Sequence, residues 1–170
     1  MKRAASVVVA VVLGFLCVGA MWDFLIQGRL GKIIIDAQPG YNDYVGTVRR
    51  VVPATNVTLG DIVYVSTSMG PGFPYVRKAD ADASNTVGDI MIMVETANSG
   101  GVAKALTDGV MHCSSWAFDG PGLPVYVSTT SGLAVTTAPS GSGDQVQKIG
   151  YTESSGTIRV KPSLNITENP

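Results

Sequence analysis

The chain is expected to be all-β, with two small barrel- or sandwich-like units in tandem behind an N-terminal hydrophobic segment. Three observations carry this. Twenty glycines and nine prolines accompany many valines, threonines and serines; β-branched residues favour the pleated surface, while glycine and proline punctuate it. Long helical patterns are missing after residue 30. The pentapeptide VYVST occurs twice, at Val63–Thr67 and Val125–Thr129, within longer stretches that align with each other. Self-similarity of that kind marks a repeated structural unit.

In chain order, "MKRAASVVVAVVLGFLCVGAMW" sets Lys2 and Arg3 before an uncharged run from Ala4 to Trp22. That is the order of a signal peptide, with Val18-Gly19-Ala20 as a passable cleavage site. It also approaches the roughly 20 apolar residues that span a bilayer. A hydrophobic arm buried in an assembly and a true start at Met21 are the other readings, so residues 1–22 stand as anchor, signal-like segment or arm. Residues 23–45 form a connecting arm whose "KIIID" is able to add a strand to a neighbour.

The first β unit is expected over 46–108 and the second over 109–162, with a short tail at 163–170. Gly46 opens "TVRRVV" and Gly109 opens "VMHCSSW", each a similar distance before its own VYVST. After the pentapeptide each unit has a Gly turn and a short strand, "YVRKA" or "LAVTT". A polar loop, a strand ("DIMIMVE" or "QVQKIGYTE"), a Ser-Gly turn and a closing strand ("VAKAL" or "TIRVK") follow. Alternation along a strand predicts Val63 and Val65 toward a core with Tyr64 and Ser66 outward. Likewise Val125 and Val127 point in, and Tyr126 and Ser128 out. A unit this small buries little core alone, so packing of the two units and self-association are expected.

Composition also bounds the chemistry. Charged residues are 15% of the chain and the net charge is −1, so no basic excess exists for phosphate neutralisation and no nucleic-acid partner is expected. Cys17 and Cys113 are expected as unpaired thiols. "DADASN" at Asp80–Asn85 alternates oxygen ligands, but an EF-hand loop wants Gly and Glu where Asn85 and Met91 stand, so a solvated loop is expected. His112 beside Cys113 lacks the further ligands a zinc site needs. The carboxylate pairs Asp80/Asp82 and Asp61/Asp89 sit in no context that argues for a raised pKa. No catalytic, cofactor or metal residue is therefore assigned, and no cofactor is expected. The candidate partner contacts are aromatic. Trp116 and Phe118 in "SSWAFDGPG" could grip a sugar or a partner, or plug the end of the β unit. Phe73 and Tyr75 in "MGPGFPY" lie in the longer hairpin of the first unit.

The strings "YVGTVRRVVPATNVTLGDIVYVS", "ADADASNT", "GLPVYVSTTSGLAVTTAPSGSGDQVQKIGYT" and "GTIRVKPSLNITENP" resemble a module recurrent in structural proteins of tailed bacteriophages. Capsid decoration, head-fibre and tail-fibre proteins carry it, and the likeness covers about 44–170. The resemblance implies a β-rich, often trimeric, non-enzymatic subunit on the virion surface, in contact with major capsid or other virion proteins. The N-terminal run departs from that pattern. It points to membrane contact through Ala4–Trp22 and to a second possibility, an exported or membrane-anchored bacterial cell-surface protein. A carbohydrate-active enzyme would need a carboxylate pair in a cleft.

Overall fold

The structure is a computed structural model that describes residues 40–69, 72–83 and 86–170. The anchor or signal reading of 1–22 and the "KIIID" arm lie outside the described residues. Within them the chain is all-β and has no helix, so none is long and apolar enough to cross a membrane, which says nothing of strands.

Ten strands form the sheet: β1 (Tyr44–Pro53), β2 (Ile62–Met69), β3 (Pro74–Lys78), β4 (Ile90–Met93), β5 (Ala103–His112), β6 (Pro124–Val127), β7 (Ala134–Val135), β8 (Gln145–Ser154), β9 (Thr157–Val160) and β10 (Ile166–Glu168). Their order is β1-β3-β2-β4-β5-β9-β8-β6-β7, and β1 also pairs with β5. The first five strands therefore close a ring-like circuit. β1 and β3 run parallel at Val52↔Tyr75 and Pro53↔Val76, whereas β1 and β5 run antiparallel from Tyr44↔Met111 to Val51↔Ala103. From β5 the sheet continues through β9, β8 and β6, and it ends at β7.

Most of the strand-like stretches appear where expected, with two differences. One continuous strand, β5, takes in "AKAL" and the "VMH" that opens "VMHCSSW", so the expected boundary between Asp108 and Gly109 falls inside it. The tail contributes β10, which pairs antiparallel with β8 at Ile166↔Gln147.

Two cores result, and β2, β4 and β5 serve both. One fills the ring: Val51, Val57, Val63, Val76, Met91, Met93, Ala103 and Ala105. The other lies on the outer face of the same strands, where Ile62, Ile90, Ile92 and Leu106 meet Val125, Val127, Ile149, Ile158 and Val160. β4 reads Ile-Met-Ile-Met and is buried at all four positions, because a strand covered on both faces has no solvent side for polar residues.

Double burial corrects the expected facing of the pentapeptides. Val63, Val125 and Val127 are fully buried as alternation demands. Tyr64, expected outward, is half-buried against the outer core. Ser128 is also buried, and its hydroxyl accepts a 2.9 Å hydrogen bond from the Thr130 amide.

Backbone and side-chain hydrogen bonds join the halves. The Ile62 amide donates to the Gly132 carbonyl at 2.8 Å, and Gly132 donates to Ala79 at 2.8 Å. Gly132 sits over the Lys78–Asp61 ion pair of 2.9 Å, where a Cβ would lie 2.9 Å from Lys78 Cδ. Fully buried Gln147 accepts from the Gly88 amide at 2.8 Å and donates to the carbonyls of Gly88 (2.6 Å) and Ser163 (2.7 Å). One side-chain amide of the second half thus satisfies three backbone groups, two from Gly88 in the first half and one from Ser163 in the tail.

Close backbone approach is equally specific. Gly150 on β8 lies so near β9 that a Cβ there would collide with the Arg159 carbonyl oxygen, its carbon standing 3.0 Å away. Both obstacles are ladder backbone and cannot rotate aside. Gly150→Ala is expected to cost about 3 kcal/mol, roughly 10 °C in Tm, by differential scanning calorimetry. An unchanged Tm would show that β8 and β9 can separate without loss.

Candidate functional site

β5 leads, through the turn that follows it, to the aromatic candidates Trp116 and Phe118. After β5 the chain turns at Ser114–Ser115, with the Trp116 amide donating to the Cys113 carbonyl at 3.1 Å. The Phe118 amide then donates to the Ser155 carbonyl at 2.8 Å, which holds this segment beside the β8–β9 hairpin. Trp116 and Phe118 come together with ring centroids 5.8 Å apart and planes inclined by 41°. Both are half-buried, packed from behind against the outer core.

Their other sides line a cleft of about 470 Å³, within the range of small-ligand pockets. The other wall comes from β7, the bend after it and the turn that follows β6, including Ser128, Thr136 and Thr137. Among the lining residues Asp119 alone carries a charge, so the cleft holds no carboxylate pair of the kind glycoside hydrolysis uses. The aromatic pair was visible in the sequence. The hydroxyl wall was not, because it depends on β7 folding back across the cleft.

Phe73 and Tyr75 do not line this cleft. Tyr75 is half-buried on β3 opposite Val52, and Phe73 lies just before β3 with the Arg50 guanidinium 6.0 Å from its ring centroid. The structure therefore brings two of the four candidates to one site and leaves the others on the ring.

The remaining chemistry-bearing residues are tied into the frame. His112 accepts at Nδ1 from the Asn42 amide at 3.2 Å and lies 5.5 Å from the Tyr41 ring. Cys113 is a buried free thiol, with Sγ 3.0 Å from the Ser115 hydroxyl. Among the described residues no group of three His, Cys, Asp or Glu could hold a metal ion. Asp61 and Asp89 are not a pair: Asp61 binds Lys78, and Asp89 lies 3.4 Å from Arg49 at the surface.

Asp80 departs from expectation. Burial, together with the hydrogen bond and like charge of Asp82, raises its carboxyl pKa above the ordinary value, and its Oδ1 is buried with no hydrogen-bond partner among the described residues. Ionised Asp80 therefore costs stability, a penalty absent below the ordinary carboxylate range and incurred as pH rises through the raised value. Asp80→Asn, which can still donate to Asp82, is expected to raise the urea midpoint at pH 7. The gain should shrink as pH falls toward 4, and a gain that does not change with pH would contradict the assignment.

Comparison with known proteins finds no family model and no curated protein that matches this chain.

Proposed function

We propose that this chain is a non-enzymatic structural subunit of a tailed-phage particle, a capsid decoration or head-fibre-like protein displayed on the surface. The string "VYVSTTSGLAVTTAPSGSGDQVQKIG" carries that reading, and it covers β6, β7 and the first half of β8. The recurrence of strand pairings supports a subunit built from two tandem copies of one β unit. β6 pairs with β7 and β8 as β2 pairs with β3 and β4, β8 pairs with β9 as β4 pairs with β5, and β9 pairs with β5 as β5 pairs with β1. Exposed Val45 and Val48 on β1 supply apolar surface for self-association, with a trimer the state the resemblance favours, and for contact with capsid proteins.

The run from Ala4 to Trp22 favours the second reading, an exported or membrane-anchored bacterial surface protein. Intact-mass spectrometry of density-gradient-purified particles separates the two. A full-length mass, with or without Met1, in the virion band is expected. A mass beginning near Met21 in membrane or secreted fractions, with no particle, would overturn the virion role.

A further inference from the structure

One pairing of the first half has no counterpart in the second. β1 closes the ring on β3 through Val52↔Tyr75 and Pro53↔Val76. Aligning Gly46 with Gly109 and Val65 with Val127 sets Ser115 and Trp116 where Val52 and Pro53 stand. Because Val65 pairs with Val76 as Val127 pairs with Ala134, Leu133 and Ala134 stand where Tyr75 and Val76 stand. Ser115 and Trp116 do not pair with Leu133 and Ala134; all four line the cleft. The Ser114–Ser115 turn and the Phe118–Ser155 hydrogen bond draw the chain toward the β8–β9 hairpin, so the position of the closing strand is open.

The chemistry of the opening selects its occupant. Two aromatic rings, fixed from behind by the core, form one wall, and hydroxyls of Ser128, Thr136 and Thr137 belong to the other. No lysine, arginine or histidine lines the cleft, so nothing there offsets the charge of a phosphate or carboxylate ligand. An added peptide strand would find only two ladder residues on β7, followed by a bend and Pro139. A pyranose matches both walls: its C–H face lies on an aromatic ring, and its hydroxyls bond to a carboxylate and to other hydroxyls. We propose that this cleft binds a neutral saccharide, stacked on Trp116 and Phe118 and hydrogen-bonded by Asp119 and the Thr136–Thr137 hydroxyls. The proposal goes beyond the virion role and stands whether or not the chain rides on a particle.

The test titrates the full chain with uncharged trisaccharides of glucose, mannose, galactose and N-acetylglucosamine, followed by saturation-transfer NMR and calorimetry. At least one is expected to bind with Kd on the order of 0.1–1 mM, with no dependence on salt because the ligand carries no charge. Exposed Asp119 can be changed without opening the core, and Asp119→Asn should weaken binding about tenfold, roughly the loss of one charge-assisted hydrogen bond. Phe118→Ala should abolish binding, and Thr137→Val, away from the core, should weaken it should the Phe118 variant fail to fold. Failure of every trisaccharide to bind would overturn the proposal, as would binding that survives both Asp119→Asn and Thr137→Val. Protection of the Val135–Thr137 amides by an added peptide, with no saccharide bound, would overturn it in favour of strand addition.

Discussion

Replacing Val125 and Val127 together by Asp is expected to unfold the whole of residues 40–170 that the structure describes, not the second half alone. Both side chains are fully buried in the outer core. An unpaired carboxylate placed there either stays charged in an apolar medium or takes up a proton, and each course costs several kcal/mol. Two such changes approach or exceed the roughly 5–15 kcal/mol by which a domain is stable. Confinement of the damage to 109–162 would follow if each half held its own core. It does not follow here, because Ile62, Ile90, Ile92 and Leu106 of the first half lose the same partners. In two-dimensional NMR the dispersed resonances of both halves should collapse together. Retained dispersion for β1 to β4 would show that the ring core stands alone.

Gln147→Leu is expected to lower stability by about 3–4 kcal/mol, although leucine fills a similar volume. The glutamine amide answers the Gly88 amide, the Gly88 carbonyl and the Ser163 carbonyl, all at 2.6–2.8 Å. Leucine leaves those groups buried without partners, at about 1–3 kcal/mol each before relaxation. The urea midpoint should fall with little change in m. Gln147→Glu separates shape from hydrogen bonding, since it still accepts from Gly88 but cannot donate while ionised. It should be destabilised at pH 7 and recover part of the loss on acidification. A Leu variant as stable as the parent would mean that water replaces the amide.

All-β character was legible because glycine and proline punctuate β-branched runs at short intervals, a local signal. Period-two alternation placed Val63, Val125 and Val127 correctly. It failed at Tyr64, since alternation presumes one wet face and β2 has two covered ones, and at Ser128, whose hydroxyl is tucked into the turn after β6. The run Ile90–Met93 held the clue: four apolar residues without alternation are what a strand between two cores requires. Gln147 looked like any polar residue on a solvent face, because its partners lie 59 and 16 positions away. The aromatic half of the cleft could be read from Trp116 and Phe118. The hydroxyl half could not, because Ser and Thr recur in many loops of the sequence and nothing local sets Thr136 and Thr137 apart. Asp80 shows the same limit, as desolvation by the surrounding fold has no signature in the spacing of two aspartates.

Sharing one core between the halves sets a clock on synthesis. The ring strands are complete at His112, yet the last outer-core strand closes only at Val160, 48 residues later. At about 5–20 residues per second, the ribosome exposes Ile62, Ile90, Ile92 and Leu106 to water for roughly 2–10 s in every nascent chain. For that interval the growing polypeptide presents an apolar sheet face to its neighbours, so yield should depend on elongation rate and on how densely ribosomes load the message.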